Sequence, residues 1–286
     1  MVRFRFDGLE FGGPVGPLLV TGFDPGPAEV RNGDSDRSQR DGAIAGRDFL
    51  GKRTWGISVS TIADDIDGAL ALERQLASRW GNEKFRKNPL VTYPLAYELG
   101  GRWRRVYGRP DRYAGINGDL SSMSGAGTIE CDFRVLDPRF YDDAESVVQL
   151  TIVPASTGGL MAPLVAPLST VRSSEPRAGL VDNLGDVPTP LKVVFKGPVT
   201  NPWVRAAAGW EIGLVGTLAY DQTVTVDALE GTVLRGSTPV AGMLTRKTRL
   251  SSSMLPVGSS ELTFGGTDPT GTASVELRWR NAFTSL

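Results

Sequence analysis

The sequence predicts a mainly β protein with one helix in its first half, arranged as two domains. Three observations carry that reading. Short runs of alternating apolar and polar residues recur along the chain, bounded by Gly, Pro, Asn and Asp. Gly (35) and Pro (19) together make 54 of 286 residues, about 19% against a usual background of roughly 12%. Only residues 64–80 place their apolar side chains at helical spacing.

The elements follow in order. Residues 3–6 (Arg-Phe-Arg-Phe) alternate charged with apolar side chains and run into a turn at Asp7-Gly8. Without a continuous apolar run, this N-terminus does not read as a signal peptide, and folding in a cytoplasm is expected. Further alternating runs cover 18–23, 54–62, 91–99, 102–107, 112–116 and 128–136. Residues 25–46 are polar, rich in Gly, Asp and Arg, and carry the turn pair Asn32-Gly33. They read as a long loop or solvated arm, a length that usually has a function. In 64–80, Ile66, Ala69, Leu70, Leu76, Ala77 and Trp80 share one helical stripe suited to packing on a sheet. Asp64 is the expected N-cap, Asp65 and Asp67 suit the positive end of the helix dipole, and Gly81-Asn82 supplies the stop.

The pattern breaks in a charged turn at 137–143, followed by a stretch rich in Pro, Gly and Ala at 155–167. This places a domain boundary near residue 145, giving domains 1–145 and 146–286. The second reads as almost purely β, with runs at 146–153, 164–172, 178–183, 189–195, 199–205, 210–215, 223–227, 232–235, 244–247, 260–264 and 272–279. That spacing points to a β-sandwich or jelly roll.

Composition excludes several chemistries. The chain has no His, so no Ser-His-Asp or Cys-His pair, no HExxH metalloprotease and no imidazole metal site can exist. The single Cys131 excludes a disulfide framework and a cysteine zinc site. The carboxylate pairs Asp64-Asp65 and Asp142-Asp143 read as a helix start and a turn, not as a glycosidase pair separated across a cleft. Gly-rich pieces at 12–17 and 125–127 match neither phosphate-binding nor dinucleotide fingerprints. Asp34 and Asp36 sit in a run that lacks the spacing of a calcium loop. No catalytic residue, cofactor or metal is expected. The net charge is −1, which argues against a protein that coats nucleic acid.

One stretch stands out by charge. Residues 84–112 hold Lys84, Arg86, Lys87, Arg102, Arg104, Arg105, Arg109 and Arg112, with Glu98 and Asp111 as the opposing charges. The bland reading is a solvated strand edge, since Arg102, Arg104 and Arg105 flank Trp103 in an alternating pattern. The sharper one is a contact face for an acidic partner, because Arg and Trp are enriched at interfaces.

Several segments of the second half resemble the siphophage distal tail protein family. Residues 181–202 (VDNLGDVPTPLKVVFKGPVTNP) are similar to that family's N-x-G-(D/N)-x-x-(T/A)-x-P…N-P signature. Residues 210–218 and 222–228 resemble its following strands. Residues 255–262 (LPVGSSEL) resemble its L-x-P-G-x-N-x-I turn, with Val257 inserted and Ser260 in the place of Asn. Residues 274–280 resemble its closing strand, and 131–141 (CDFRVLDPRFY) the exit from its first domain.

The resemblance implies an N-terminal β-rich domain that assembles into a hexameric ring, and a C-terminal galectin-like β-sandwich projecting outward. Such a ring would join the tail tube to the tail-tip hub or fibre proteins, with the tape-measure protein as a further neighbour. The genome would pass through without specific binding, and the protein would reside in the virion. In a closed ring the 25–46 arm can order against a neighbouring copy, pairing Arg31, Arg37, Arg40 and Arg47 with facing carboxylates. Two other classes stand beside this one. A carbohydrate-binding host-adsorption module would use Trp203 or Trp210, although the absence of His rules out the usual galectin site. A wall hydrolase lacks a separated carboxylate pair.

Overall fold

Strict alternation builds the first sheet. On the strand Arg53–Thr61, Trp55, Ile57 and Val59 are buried, while Ser58 and Ser60, alternating with them, face the other side. The antiparallel register sets Trp55, Ile57 and Val59 opposite Phe133, Cys131 and Ile129 on Thr128–Val135. Three cross-strand pairs thus start the core. Burial pushes the Cys131 thiol well above its ordinary range, with Glu130 and Asp132 adding to the shift.

The computed structural model describes residues 2–118, 123–154, 174–175, 177–268 and 270–286. The chain divides into two units, Met1–Ala144 with Thr284–Leu286, and Glu145–Phe283. Among the described residues no helix is long and apolar enough to cross a membrane.

In the first unit the strands run antiparallel in the spatial order Leu9–Gly12, Arg3–Phe6, Tyr93–Leu99, Arg102–Ala114, Thr128–Val135, Arg53–Thr61, Leu18–Asp24. The helix Ile66–Trp80 covers one face. Trp80 meets Phe6, Phe11 and Phe133 edge-on, at centroid distances of 5.2, 6.5 and 5.9 Å. Its indole N–H donates to the Asp132 carbonyl at 3.1 Å, which ties the helix end to the sheet.

Details of this unit differ from the sequence reading. Asp65, not Asp64, caps the helix, accepting the Gly68 N–H at 2.8 Å. A second, single-turn helix follows at Lys84–Lys87. The runs at 102–107 and 112–116 are one strand, Arg102–Ala114, and the register slips between Pro110 and Tyr113 to accommodate the proline. The charged turn at 137–143 contains a short strand, Phe140–Asp142, paired with Arg104 and Arg105.

The second unit is a sandwich of two antiparallel sheets. One orders Ser146–Thr151, Ser274–Trp279, Lys192–Lys196, Thr223–Asp227, Thr232–Arg235 and Thr238–Pro239. The other orders Arg177–Asn183, Gly258–Thr267, Val199–Ala206 and Glu211–Gly213. Val193, Phe195, Val224, Val226, Val275 and Leu277 from the first sheet are fully buried. They share one core with Val181, Val204, Ile212, Leu262 and Phe264 from the second. The strand expected at 244–247 is absent. Thr245 and Thr248 instead hold Gly213, the Thr248 hydroxyl accepting its N–H at 2.9 Å. The Thr245 N–H donates to the Gly213 carbonyl and Leu214 bridges Leu244, so a single rung forms before the chain turns. The strand expected at 164–172 and the Pro/Gly-rich stretch at 155–167 lie outside the described residues.

Candidate functional site

The arm is not a structureless loop. Val30–Arg31 pairs with Phe49–Leu50, and further out Ser35–Asp36 pairs with Ala43–Ile44, so the chain forms a two-tier ribbon. The two tiers are joined where Gly33 and Gly46 cross. A Cβ on Gly46 would stand 1.8 Å from the Gly33 carbonyl oxygen, so only glycine fits. Asp34 locks the crossing by accepting the Gly46 N–H at 2.8 Å. The carboxylate singled out in the calcium-like run thus serves a turn.

Every residue from 29 to 50 is exposed. Val30 (57%), Ile44 (56%), Phe49 (49%) and Leu50 (55%) present apolar surface on a ribbon that has no core of its own. Arg31 and Arg47 lie over the Phe49 ring, at 5.9 and 5.0 Å. Arg37 and Arg40 sit at the outer tip, where the Arg37 amide donates to the Gly42 carbonyl.

The basic stretch behaves differently. Arg105 places Nε 2.8 Å from Asp143 Oδ1 and adds a second bond through Nη2. Arg5 reaches the same carboxylate at 3.8 Å while lying 4.4 Å over the Trp103 ring. Arg104, one residue on from Trp103, faces the other side of the strand, where its guanidinium donates to the Ser285 carbonyl at 2.7 Å. There it opposes the burial that pushes the Tyr97 phenol up to about 12. Arg109 caps the Val91 and Asn88 carbonyls, Arg112 pairs with Asp132 at 3.1 Å, and Lys84 pairs with Asp7 at 2.6 Å. Arg102 is exposed at the turn. Arg102, Trp103, Arg104 and Arg105 therefore divide between two faces of one strand and do not form a single patch. Of the carboxylate pairs, Asp65 caps a helix and Asp143 holds Arg105.

A groove in the second unit went unread in the sequence. About 720 Å³ of space lies between the turn after Val199–Ala206 and the 246–252 loop, lined by Arg205, Trp210, Glu211, Arg246, Lys247 and Arg249. One signal was available for it. No Asp or Glu occurs between Glu230 and Glu261, an interval that holds Arg235, Arg246, Lys247 and Arg249.

No family model matches the chain, and no curated protein does. Solved structures do. The crystal structure of the SPP1 Dit (gp 19.1) protein, described as a paradigm of the hub adsorption apparatus in phages that infect Gram-positive bacteria, is similar with a TM-score of 0.55. The identity is 13%, over 99% of this chain and 99% of that one. A chain of the phage P2 baseplate in its activated conformation is similar in structures with Ca and with Sr, each with a TM-score of 0.55 at 10% identity. Those matches cover 97% of this chain and 98% of theirs. The chain therefore shares, along nearly its whole length and through both units, the fold of a phage adsorption-hub protein and of a phage baseplate component.

Proposed function

We propose that this chain is a structural protein of a long non-contractile phage tail. In this reading it forms a hexameric ring at the tail tip, between the tail tube and the hub or fibre proteins. What carries the reading is the length of the likeness: 99% of both chains, to a protein described as a paradigm of a hub adsorption apparatus. The arm supports it independently. An exposed ribbon with four large apolar side chains and four arginines is poorly suited to life in water alone. Against a neighbouring copy, Val30, Ile44, Phe49 and Leu50 gain apolar cover and the arginines gain carboxylate partners. A head-to-tail contact of that kind closes into a ring when its rotation divides a full turn.

Light scattering on the purified chain, alone and mixed with the tube and hub proteins of the same phage, tests this. A ring-sized mass is expected in at least one of those samples. Deleting residues 29–50 is expected to abolish the ring while leaving the thermal midpoint of the remaining fold nearly unchanged, since none of these residues is buried. Unaltered ring assembly in the deletion variant would remove the arm from the account.

A further inference from the structure

We propose that the groove of the second unit is a binding site for an anionic saccharide, a sugar or polyol chain bearing phosphate or carboxylate groups. The proposal concerns the groove alone and holds whether or not the chain forms a ring.

Charge is the first argument. Four cations and one carboxylate line the groove. Arg205 is committed to Glu211 at 2.7 Å and lies 4.6 Å over the Trp203 ring. Among the described residues, the side chains of Arg246, Lys247 and Arg249 have no ion-pair or hydrogen-bond partner. The 30-residue interval around them contains no acid, and Glu211, the carboxylate the fold brings into the groove, is held by Arg205.

Rigidity is the second argument. The loop that carries these cations is braced from behind at several points. The Ser253 and Ser252 hydroxyls donate to the Arg249 carbonyl at 2.9 and 3.1 Å. The Thr245 and Thr248 hydroxyls bond each other at 3.0 Å while both residues hold Gly213. Trp210 Nε1 donates to the Met254 carbonyl at 2.8 Å, which pins the floor to the far end of the loop. Cations on a fixed backbone lose less entropy on meeting a ligand than cations on a mobile one.

Shape is the third argument and selects the ligand. Specific protein contacts spread over broad surfaces of about 800 Å² per partner. Concave sites of roughly 300–1,000 Å³ are the usual size for small ligands. The opposite wall is kept low by Ala208 and Gly209, and Gly209 turns at φ +94, where an L side chain is strained. Space for a ring-sized group therefore remains beside Trp210. Two arginines supply the planar forks that match phosphate and carboxylate oxygens, and Lys247 adds a point charge.

The test is isothermal titration of the full chain with glucose 6-phosphate, trigalacturonate, maltotriose, inorganic phosphate and hexaglutamate. The triple variant R246Q/K247Q/R249Q and the arm variant R37Q/R40Q are compared with the native chain. Expected is binding of both anionic sugars, weakened at least about tenfold in the triple variant and unchanged in the arm variant. Maltotriose should not bind, and inorganic phosphate should bind more weakly than glucose 6-phosphate. The proposal is overturned if no anionic sugar binds, or if the triple variant binds as the native chain does with an unchanged melting temperature. It is also overturned if phosphate alone matches glucose 6-phosphate, which would leave only a free-anion site. Tighter capture of hexaglutamate than of either sugar would reassign the groove to an acidic protein.

Discussion

The 84–112 stretch and the 245–249 loop are both basic runs, and folding treats them in opposite ways. In the first, Arg105 finds Asp143, Arg112 finds Asp132, Lys84 finds Asp7, and Arg104 and Arg109 find backbone carbonyls. In the second, Arg246, Lys247 and Arg249 meet no carboxylate among the described residues and face a groove. Local charge counting ranks the two the wrong way round. The partners of the longer run lie elsewhere in the chain, at residues 7, 132 and 143, and strand pairing brings them in. The shorter run sits in an interval without acids, and Glu211, the carboxylate the fold brings beside it, is held by Arg205. A basic run thus marks a surface available to a partner only when the fold leaves its charges unpaired.

The comparison can be broken most forcefully at Asp143. The Arg105 and Asp143 side chains are only 20% and 18% exposed, and Arg5 leans on the same carboxylate. Asp143→Ala should cost about 1–3 kcal/mol, because a partly buried guanidinium loses its acceptor. The melting transition of the first unit reports this, and an unchanged midpoint would mean that the pair is ornamental.

Acid sharpens the picture in the second unit. Burial disfavours the charged form of Asp268, yet the Ala273 and Thr270 amides and the Thr270 hydroxyl, at 2.8, 2.8 and 2.7 Å, hold its carboxyl below the ordinary range. The unfolded chain then binds the proton more readily than the folded one. The associated stability is complete above the ordinary aspartate pKa and is lost as pH falls through and below it. Thermal midpoints taken from pH 6 to pH 3 should fall for the native chain and fall less steeply for Asp268→Asn. Equal slopes would remove Asp268 as a source of acid sensitivity.

Two smaller effects complete the contrast. Glu211→Gln releases Arg205 into the groove. The pair joins a half-exposed Arg205 to a Glu211 side chain only 15% exposed, and the Gln amide still accepts from the guanidinium, so the loss should stay at about 1 kcal/mol while anion affinity rises a few-fold. The triple groove variant should shift stability by less than about 0.5 kcal/mol in either direction, read in the same melts. A drop comparable to that of Asp143→Ala would show hidden structural work by these cations.

Much of the architecture was legible because it rests on period two. Trp55, Ile57 and Val59, or Val224 and Val226, declare a buried face by alternation alone. The helix was legible from its stripe, and its cap shifted by one residue because adjacent aspartates compete for the same role. What escaped depended on partners distant in sequence. Leu9–Gly12 is a strand because Arg3–Phe6 pairs with it, although its glycine-rich exit reads as a turn. The runs at 102–107 and 112–116 read as separate, and the sheet joins them through Pro110 by a register slip. The arm's polarity was visible, but its ribbon depends on Gly33 meeting Gly46 at a spacing no local pattern encodes. The candidate arginines divide accordingly. Arg31, Arg37, Arg40 and Arg47 remain on an exposed ribbon, whereas Trp103, Arg104 and Arg105 are absorbed into the sheet.

The ring is the central claim, and negative-stain imaging of the purified chain mixed with its tube and hub proteins tests it most directly. The account predicts closed rings of six subunits, absent when residues 29–50 are deleted. Monomers throughout, with every partner present, would contradict it.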